Sequence, residues 1–385
     1  MKRKLRMGMV GGGLGAFIGS IHRMAATMDG QVELVCGAFS STSEKSKASG
    51  EALYLPPDRV YDNFEEMIIK EKALPEGERM DFVSVVTPNF MHHAPTKMAL
   101  ENGFPVVCDK PLAYTLEEAQ EIRDLVHSSG LPFCITYNYT GYPMVKQARD
   151  MIKEGKIGKI RKVIVEYPQG WLNDRLEDTG QKQASWRTDP TKAGIANCMG
   201  DIGTHAANLA EYVTGLEITE MCADLTSFVG GRELEDDGNT LLHFNNGAKG
   251  ILHASQISVG EENNLHLRVY GETGGLTWDQ LEPNTLTYKT PDTVSLLRTA
   301  VGPISGSASL HTRTPAGHPE GYIEAFANVY LNFLNTLRSY LAGEEPDERF
   351  LDFPSVDEGV RGMAFIKTVV AAGKSDQKWY PYEKY

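Results

Sequence analysis

No stretch of this 385-residue chain approaches the roughly 18 uninterrupted apolar residues of a membrane helix. Cysteine is scarce. Cys36, Cys108, Cys134, Cys198 and Cys222 make an odd count of five, with no C-x-x-C pair. That argues for buried, reduced thiols and against a disulfide framework. Positive charge is in deficit, with 38 Lys and Arg against 51 Asp and Glu and a net charge of -13. The balance excludes nucleic acid or an anionic membrane as the main partner, and leaves a neutral polyol or sugar open. Internal repeats and low-complexity tracts are lacking too. Lys2, Arg3, Lys4 and Arg6 precede a small-residue stretch that imitates a secretory signal. Six glycines break the stretch Met7–Ser20 and leave no apolar core segment. The reading is a first strand and turn, no export signal, and a cytoplasmic protein.

What is present is an ordinary globular composition, long enough for two domains. From Leu5 to about Tyr137 short apolar runs alternate with helical patterns. Strands are expected at Leu5–Val10, Val32–Phe39, Phe82–Thr87, Val106–Asp109 and Phe133–Thr136. Thr115 and Glu118 have the spacing of a capping box and start a helix to Ser128. This alternation predicts a parallel, doubly wound α/β sheet. Beyond it come a helix at Met144–Lys153, a strand at Ile160–Tyr167, a loop at Gly170–Ala193 and a helix at Asp201–Val213. Strands with hairpin turns at Asn245–Gly247 and Glu272–Gly275 predict an open, mainly antiparallel sheet in an α+β domain. Ser305–Gly317 reads as a loop and Pro319–Leu341 as a long helix. The expected domains are 1–137 and 138–355. The helix Val356–Ala372 should pack back on the first domain through Val356, Val360, Met363, Ile366 and Val370.

Gly11-Gly12-Gly13-Leu14-Gly15-Ala16 follows a strand and opens a helix. Gly11-x-Gly13-x-x-Ala16 fits the dinucleotide fingerprint, in which glycines let the backbone approach a pyrophosphate at a helix N-terminus. An acid at the tip of the second strand, which would hold the ribose of NAD, is missing. Ser40, Ser41 and Lys45 stand there and suit the 2′-phosphate of NADP, with NAD as the alternative. The bland reading is that they only cap the next helix.

Lys110-Pro111 lies just past a strand, where the ligand crevice of an α/β sheet opens. A lysine there can meet a substrate hydroxyl. Asp201 and His205 are four apart, so they share a helix face, and a carboxylate one turn before an imidazole can tune it as an acid or base. An N-capping Asp beside an ordinary His is the alternative. No third ligand is spaced with them for a metal. Tyr137, Tyr139, Tyr142, His311 and His318 are further candidates for a pocket lining, or structural.

Val10–Ala16, Thr87-Pro88-Asn89 with His92, Asp109-Lys110-Pro111, Trp186-Arg187-x-Asp189-Pro190 and Asp201-x-Gly203-x-His205 occur in that order. In this combination the chain resembles the glucose–fructose oxidoreductase/inositol dehydrogenase (Gfo/Idh/MocA) family over nearly its whole length. The resemblance implies an N-terminal Rossmann domain, a C-terminal domain whose open sheet serves subunit contact, and a homodimer or homotetramer. It implies NAD(P)-dependent redox chemistry on sugars, sugar derivatives or cyclitols. It makes Lys110 the contact to the reacting hydroxyl, His205 the acid/base and Asp201 its partner. Thr87, Pro88, Asn89, His92, Asp109 and Lys110 then line the cofactor, with Trp186 and Arg187 near the nicotinamide. Two departures stand out. Asp109 replaces the family's usual glutamate, and Asn208 stands where many members carry an aspartate facing the substrate. Two other functions compete: an oxidoreductase or glycoside-processing enzyme with tightly held cofactor, and a dinucleotide sensor without turnover. A sensor needs only the glycine loop, so Lys110, Asp201 and His205 together speak against it.

Overall fold

The computed structural model describes residues 3–385; Met1 and Lys2 of the basic N-terminus lie outside the described residues. They form two compact units, one of residues through Asn138 with Ile323–Val360, the other of Tyr139–Tyr322 with Arg361–Tyr385.

The first unit is built on β1 (Leu5–Gly11), β2 (Val32–Ala38), β3 (Phe82–Val86), β4 (Val106–Cys108) and β5 (Phe133–Ile135), all parallel in the order β2-β1-β3-β4-β5. Helices α1 (Phe17–Thr27), α2 (Ser43–Ala52), α3 (Phe64–Ala73), α4 (His93–Glu101) and α5 (Leu116–Ser129) connect them. Leu5, Met7, Met9, Val83, Val85 and Val106 are buried, as the near-continuous apolar strands of a sheet covered on both faces must be. On the outer edge of β2, Gly37 makes a lone parallel bridge to Val60. The third strand of the six-stranded Rossmann order is thus reduced to one residue pair. The capping box of α5 is complete in both halves.

The second unit contains α6 (Pro143–Lys153), β6 (Lys162–Pro168), α7 (Lys182–Arg187), α8 (Pro190–Ala193) and α9 (Thr204–Thr214). Then follow β7 (Ile218–Thr226), β8 (Asp237–Phe244), β9 (Lys249–Ser255), β10 (His266–Tyr270), β11 (Gly275–Asp279), β12 (Thr285–Lys289), β13 (Val294–Arg298) and α10 (Gly306–Leu310). The sheet runs β13-β12-β11-β10-β6-β9-β8-β7-β14, where β14 is Tyr380–Pro381 near the C-terminus. Every pairing is antiparallel except β6 with β9. Alternate residues of β6, among them Val163, Val165 and Tyr167, face the core.

Two long helices complete the chain, α11 (Tyr322–Ala342) and α12 (Val356–Gly373). The sequence boundaries placed 138–355 in one domain. Residues 323–360 instead group with the first unit, because α11 presents Phe326, Tyr330 and Phe333 to it. Phe333 meets Phe82, and Phe326 meets His22. The first turn of α12 also belongs there, with Gly359 against Leu112 and Ile135, whereas 361–373 group with the second unit. Three local readings are corrected. The expected loop Gly170–Ala193 contains α7 and α8, whose starts are capped by the Gln181 and Asp189 side chains. Ser305–Gly317 contains α10, capped by Ser305. The expected helix from Asp201 begins as a π-helical turn, Met199–Gly203, before α9. No described helix is long and apolar enough to cross a membrane.

Candidate active site

In the first unit, β1 runs into a turn with Gly11 at φ 82° and Gly15 at φ 77°. A Cβ on Gly11 would stand 2.8 Å from Thr87 Cγ2, so only glycine fits beside β3. Gly15 faces open space among the described residues. The turn after β1 packs closely on α1, where a Cβ on Gly19 would collide with Gly12 Cα, while Ala16 is the N-cap of α1. Ala16 brings no capping side chain and no acid stands in the first turn, so the helix dipole is left for an anion. Gly13 N–H donates to Phe39 O (3.2 Å), and Ser49 Oγ accepts from Leu14 N–H (3.0 Å). Thr87 Oγ1 is buried with no hydrogen-bond partner among the described residues. These features fit a dinucleotide pyrophosphate.

At the tip of β2, Ser40 is half-buried and Ser41 and Lys45 are exposed. Nearby Asp62 is taken up by Ser43 (2.5 Å) and Lys47 (3.3 Å), which hold its carboxyl below the usual range.

The ends of β3 and β4 are tied by buried His92. Its Nε2 lies 2.8 Å from Thr87 O and its Nδ1 2.8 Å from Pro111 O. Burial pushes the His92 pKa down, against the opposing pull of Asp109 and the two carbonyls. The Lys110–Pro111 peptide is cis. Asp109 Oδ1 accepts from Thr136 Oγ1 (2.7 Å) and from Lys110 N–H (3.0 Å). Burial works to raise the Asp109 pKa, but His22, Lys110 and His92 outweigh it and hold the carboxyl low. His22 Nε2 lies 3.7 Å from Asp109, and its Nδ1 lies 2.8 Å from Tyr330 Oη on α11.

In the second unit, the π-turn carries Asp201. Its Oδ2 accepts from Arg187 Nε (2.9 Å) and from Gln256 Nε2 (2.9 Å). Arg187 stacks on Trp186 at 4.2 Å and lies 6.0 Å from the Trp171 ring. His205, in the first turn of α9, meets the Tyr139 ring edge-on at 4.9 Å. Tyr139 and Tyr167 share a hydrogen bond through their hydroxyls. Tyr167 Oη donates to Asn263 Oδ1 (3.0 Å), which also accepts from Gln169 Nε2. Trp171 Nε1 donates to Gln169 Oε1 (3.0 Å). The run of contacts therefore starts at Asp201 and ends at His205, one helical turn away. Below the π-turn, Glu235 Oε1 accepts from Asn197 N–H (3.0 Å) and Met199 N–H (2.9 Å). Burial lifts its carboxyl to about 7.

Comparison with known proteins decides the family. Residues 5–137 match the model of the oxidoreductase family with an NAD-binding Rossmann fold, and residues 145–277 match the GFO/IDH/MocA C-terminal domain. The chain is 33% identical to the uncharacterised oxidoreductase YfiI of Bacillus subtilis, covering 100% of this chain and 98% of that one. The chain belongs to the Gfo/Idh/MocA family of oxidoreductases. An inositol dehydrogenase homologue from Azotobacter vinelandii, solved with NAD+, superposes with a TM-score of 0.93 at 34% identity, over 99% of this chain and 98% of that chain. The same homologue was also solved with NADH and myo-inositol, at a TM-score of 0.91 and 33% identity, again over 99% and 98% of the two chains. Levoglucosan dehydrogenase of Pseudarthrobacter phenanthrenivorans is 26% identical over 72% of this chain and 74% of its own.

Within this Gfo/Idh/MocA chain, the first unit brings Gly11 to Thr87, Phe39 beside Ser40 to Gly13, and His92 to Thr87 and Pro111. The second unit brings Trp186, Arg187 and Asp201 together. Tyr139 stands beside His205, and Tyr142 stacks on Tyr139 and packs on Trp278. His311 and His318 bond to Ser307 O and Pro315 O of their own segment. Sequence reasoning missed Ser49, His22, Tyr330, Gln256, Trp171, Gln169 and Asn263. Only Trp171 carried a signal, as part of the Gly-, Gln- and Asp-rich segment Gly170–Ala193 expected after a strand.

Proposed function

We propose that this chain is a dinucleotide-dependent dehydrogenase that oxidises or reduces a hydroxyl-bearing carbon of a sugar, sugar derivative or cyclitol. The observation that carries the reading is the rim of amide, phenol and indole groups running from Asp201 to His205, which suits a polyhydroxylated ring. When bound, the nicotinamide supplies the hydride acceptor or donor. Gly11–Ala16 and the start of α1 hold the pyrophosphate, and Thr87, Pro88, Asn89, His92 and Asp109 line the dinucleotide. His205 takes the proton of the substrate hydroxyl. The Lys110 ammonium stabilises the negative charge developing on that oxygen. Asp201, fixed by Arg187 and Gln256, orients the acid/base turn.

For the dinucleotide we propose NADP, because Ser40, Ser41 and Lys45 offer donors and a positive charge. The second reading is NAD, favoured by the NAD+ and NADH complexes of the Azotobacter homologue. Titration with both dinucleotides separates them. Tighter NADPH binding is expected in the natural protein, and Ser40→Asp should swing the preference to NADH. Tighter NADH binding in the natural protein removes the NADP reading. We further propose a cytoplasmic homodimer or homotetramer joined through the outer face of the large sheet, where Leu241, Val294 and Leu296 are exposed. An absorbance screen over cyclitols, aldoses, anhydrosugars and glycosides tests the activity. Silence across the panel with dinucleotide bound points to a sensor, and nucleotide released on denaturation points to a tightly held cofactor.

A further inference from the structure

We propose that Trp171, Gln169 and Asn263 form a subsite that reads the hydroxyls of an uncharged ring and discriminates against its phosphorylated and carboxylated relatives. This rests on the reading of the second unit as the polyol-binding unit. All three side chains are half-buried, so each has a face open and a face fixed. Asn263 Oδ1 is fixed by Tyr167 and Gln169, and Gln169 Oε1 by the Trp171 indole N–H. Asn263 Nδ2 donates to Tyr139 Oη (3.4 Å). Each amide NH2 has two hydrogens, and these bonds use one of each. The second hydrogen on each amide is held in a set direction by a network that is otherwise satisfied. Such preorganised donors suit hydroxyl oxygens, and the indole offers an apolar face to ring C–H groups.

The charge of this rim decides the substrate class. Its two charged members, Arg187 and Asp201, are paired at 2.9 Å with side chains mostly out of solvent. An incoming phosphate or carboxylate that reaches the outer N–H edge of Arg187 finds its charge already offset by the Asp201 carboxylate on Nε, and is repelled by that carboxylate. A neutral ring leaves the pair intact and uses the amides.

The test is calorimetry on the full chain saturated with dinucleotide. The probes are myo-inositol, 1,6-anhydroglucose, glucose 6-phosphate and glucuronate. At least one neutral ring should bind, with the two anions at least about tenfold weaker. Trp171→Ala and Asn263→Leu should each weaken the neutral ring by roughly tenfold with dinucleotide affinity unchanged, and Trp171→Phe should recover part of the loss. Should Trp171→Ala fail to fold, Asn263→Leu, in the loop before β10, carries the same test. Equal or tighter binding of an anion overturns the subsite, as does natural-level binding in both variants. A neutral ring that binds through these residues but is never oxidised or reduced supports the subsite and overturns the dehydrogenase reading. A ring that turns over unaffected by the variants overturns the subsite alone.

Discussion

Lys110 and His205 carry the chemistry proposed here, and each can be removed singly. Lys110→Met and His205→Ala should each cut turnover by about 100- to 10,000-fold, the usual weight of a positioned acid–base group. Dinucleotide affinity should stay near that of the natural protein. Asp201→Asn should cost less than His205→Ala, because it disturbs orientation and leaves the proton acceptor in place. Steady-state kinetics paired with NADPH titration measures all three. Natural turnover in both Lys110→Met and His205→Ala would put the active site elsewhere. The place of Lys110 was legible because a strand end and a proline mark it. The glycines were legible because few other residues serve such a turn. His22 and Tyr330 beneath Asp109 were not, since 308 residues separate them and neither has a local signature. The Arg187–Asp201 pair was equally hidden. Both residues were singled out, but spacing in a chain does not reveal a contact made across a loop.

At the scale of the element, the α5 capping box was readable because both its partners lie within four residues. The π-turn was not. Its geometry is held by Glu235, which approaches the backbone at Asn197 and Met199 from the segment just before β8. Short helices such as α7 escaped for another reason: six residues give too little periodicity to stand out from a polar loop. Glu235 has a consequence for stability. Burial raises its carboxyl from an ordinary 4.5 to about 7, so between these values the folded chain binds more protons than the unfolded one. Its contribution is fully present below pH 4.5 and is lost as pH rises through about 7. Glu235→Gln keeps an acceptor for the two N–H groups and removes the titration. Denaturant midpoints from about pH 5 to about pH 8 should fall less steeply in Glu235→Gln than in the natural protein. Equal slopes would mean that Glu235 is already ionised at the acid end.

For the whole molecule, the sequence revealed two architectures in order but not the path between them. The apolar stripe of α12 suggests packing on the first domain, yet only 356–360 group there and 361–373 group with the second unit; a stripe states that a helix is buried, not against what. The first unit needs 323–360, since Phe326, Tyr330 and Phe333 cover its sheet. A fragment ending at residue 138 should therefore bind hydrophobic dye and unfold without a sharp transition. The same fragment joined through a flexible linker to 323–360 should unfold cooperatively and bind the dinucleotide. Equal behaviour of the two fragments, measured by dye fluorescence and thermal melting, would show that α11 is dispensable. The return of the chain to its first unit also sets a timetable in the cell. Ribosomes add roughly 5–20 residues per second. The nascent first sheet thus waits on the order of 10 to 40 seconds, through synthesis of residues 139–322, before its covering helix emerges. During that interval it is a natural client for chaperones that shield apolar surfaces at the exit tunnel.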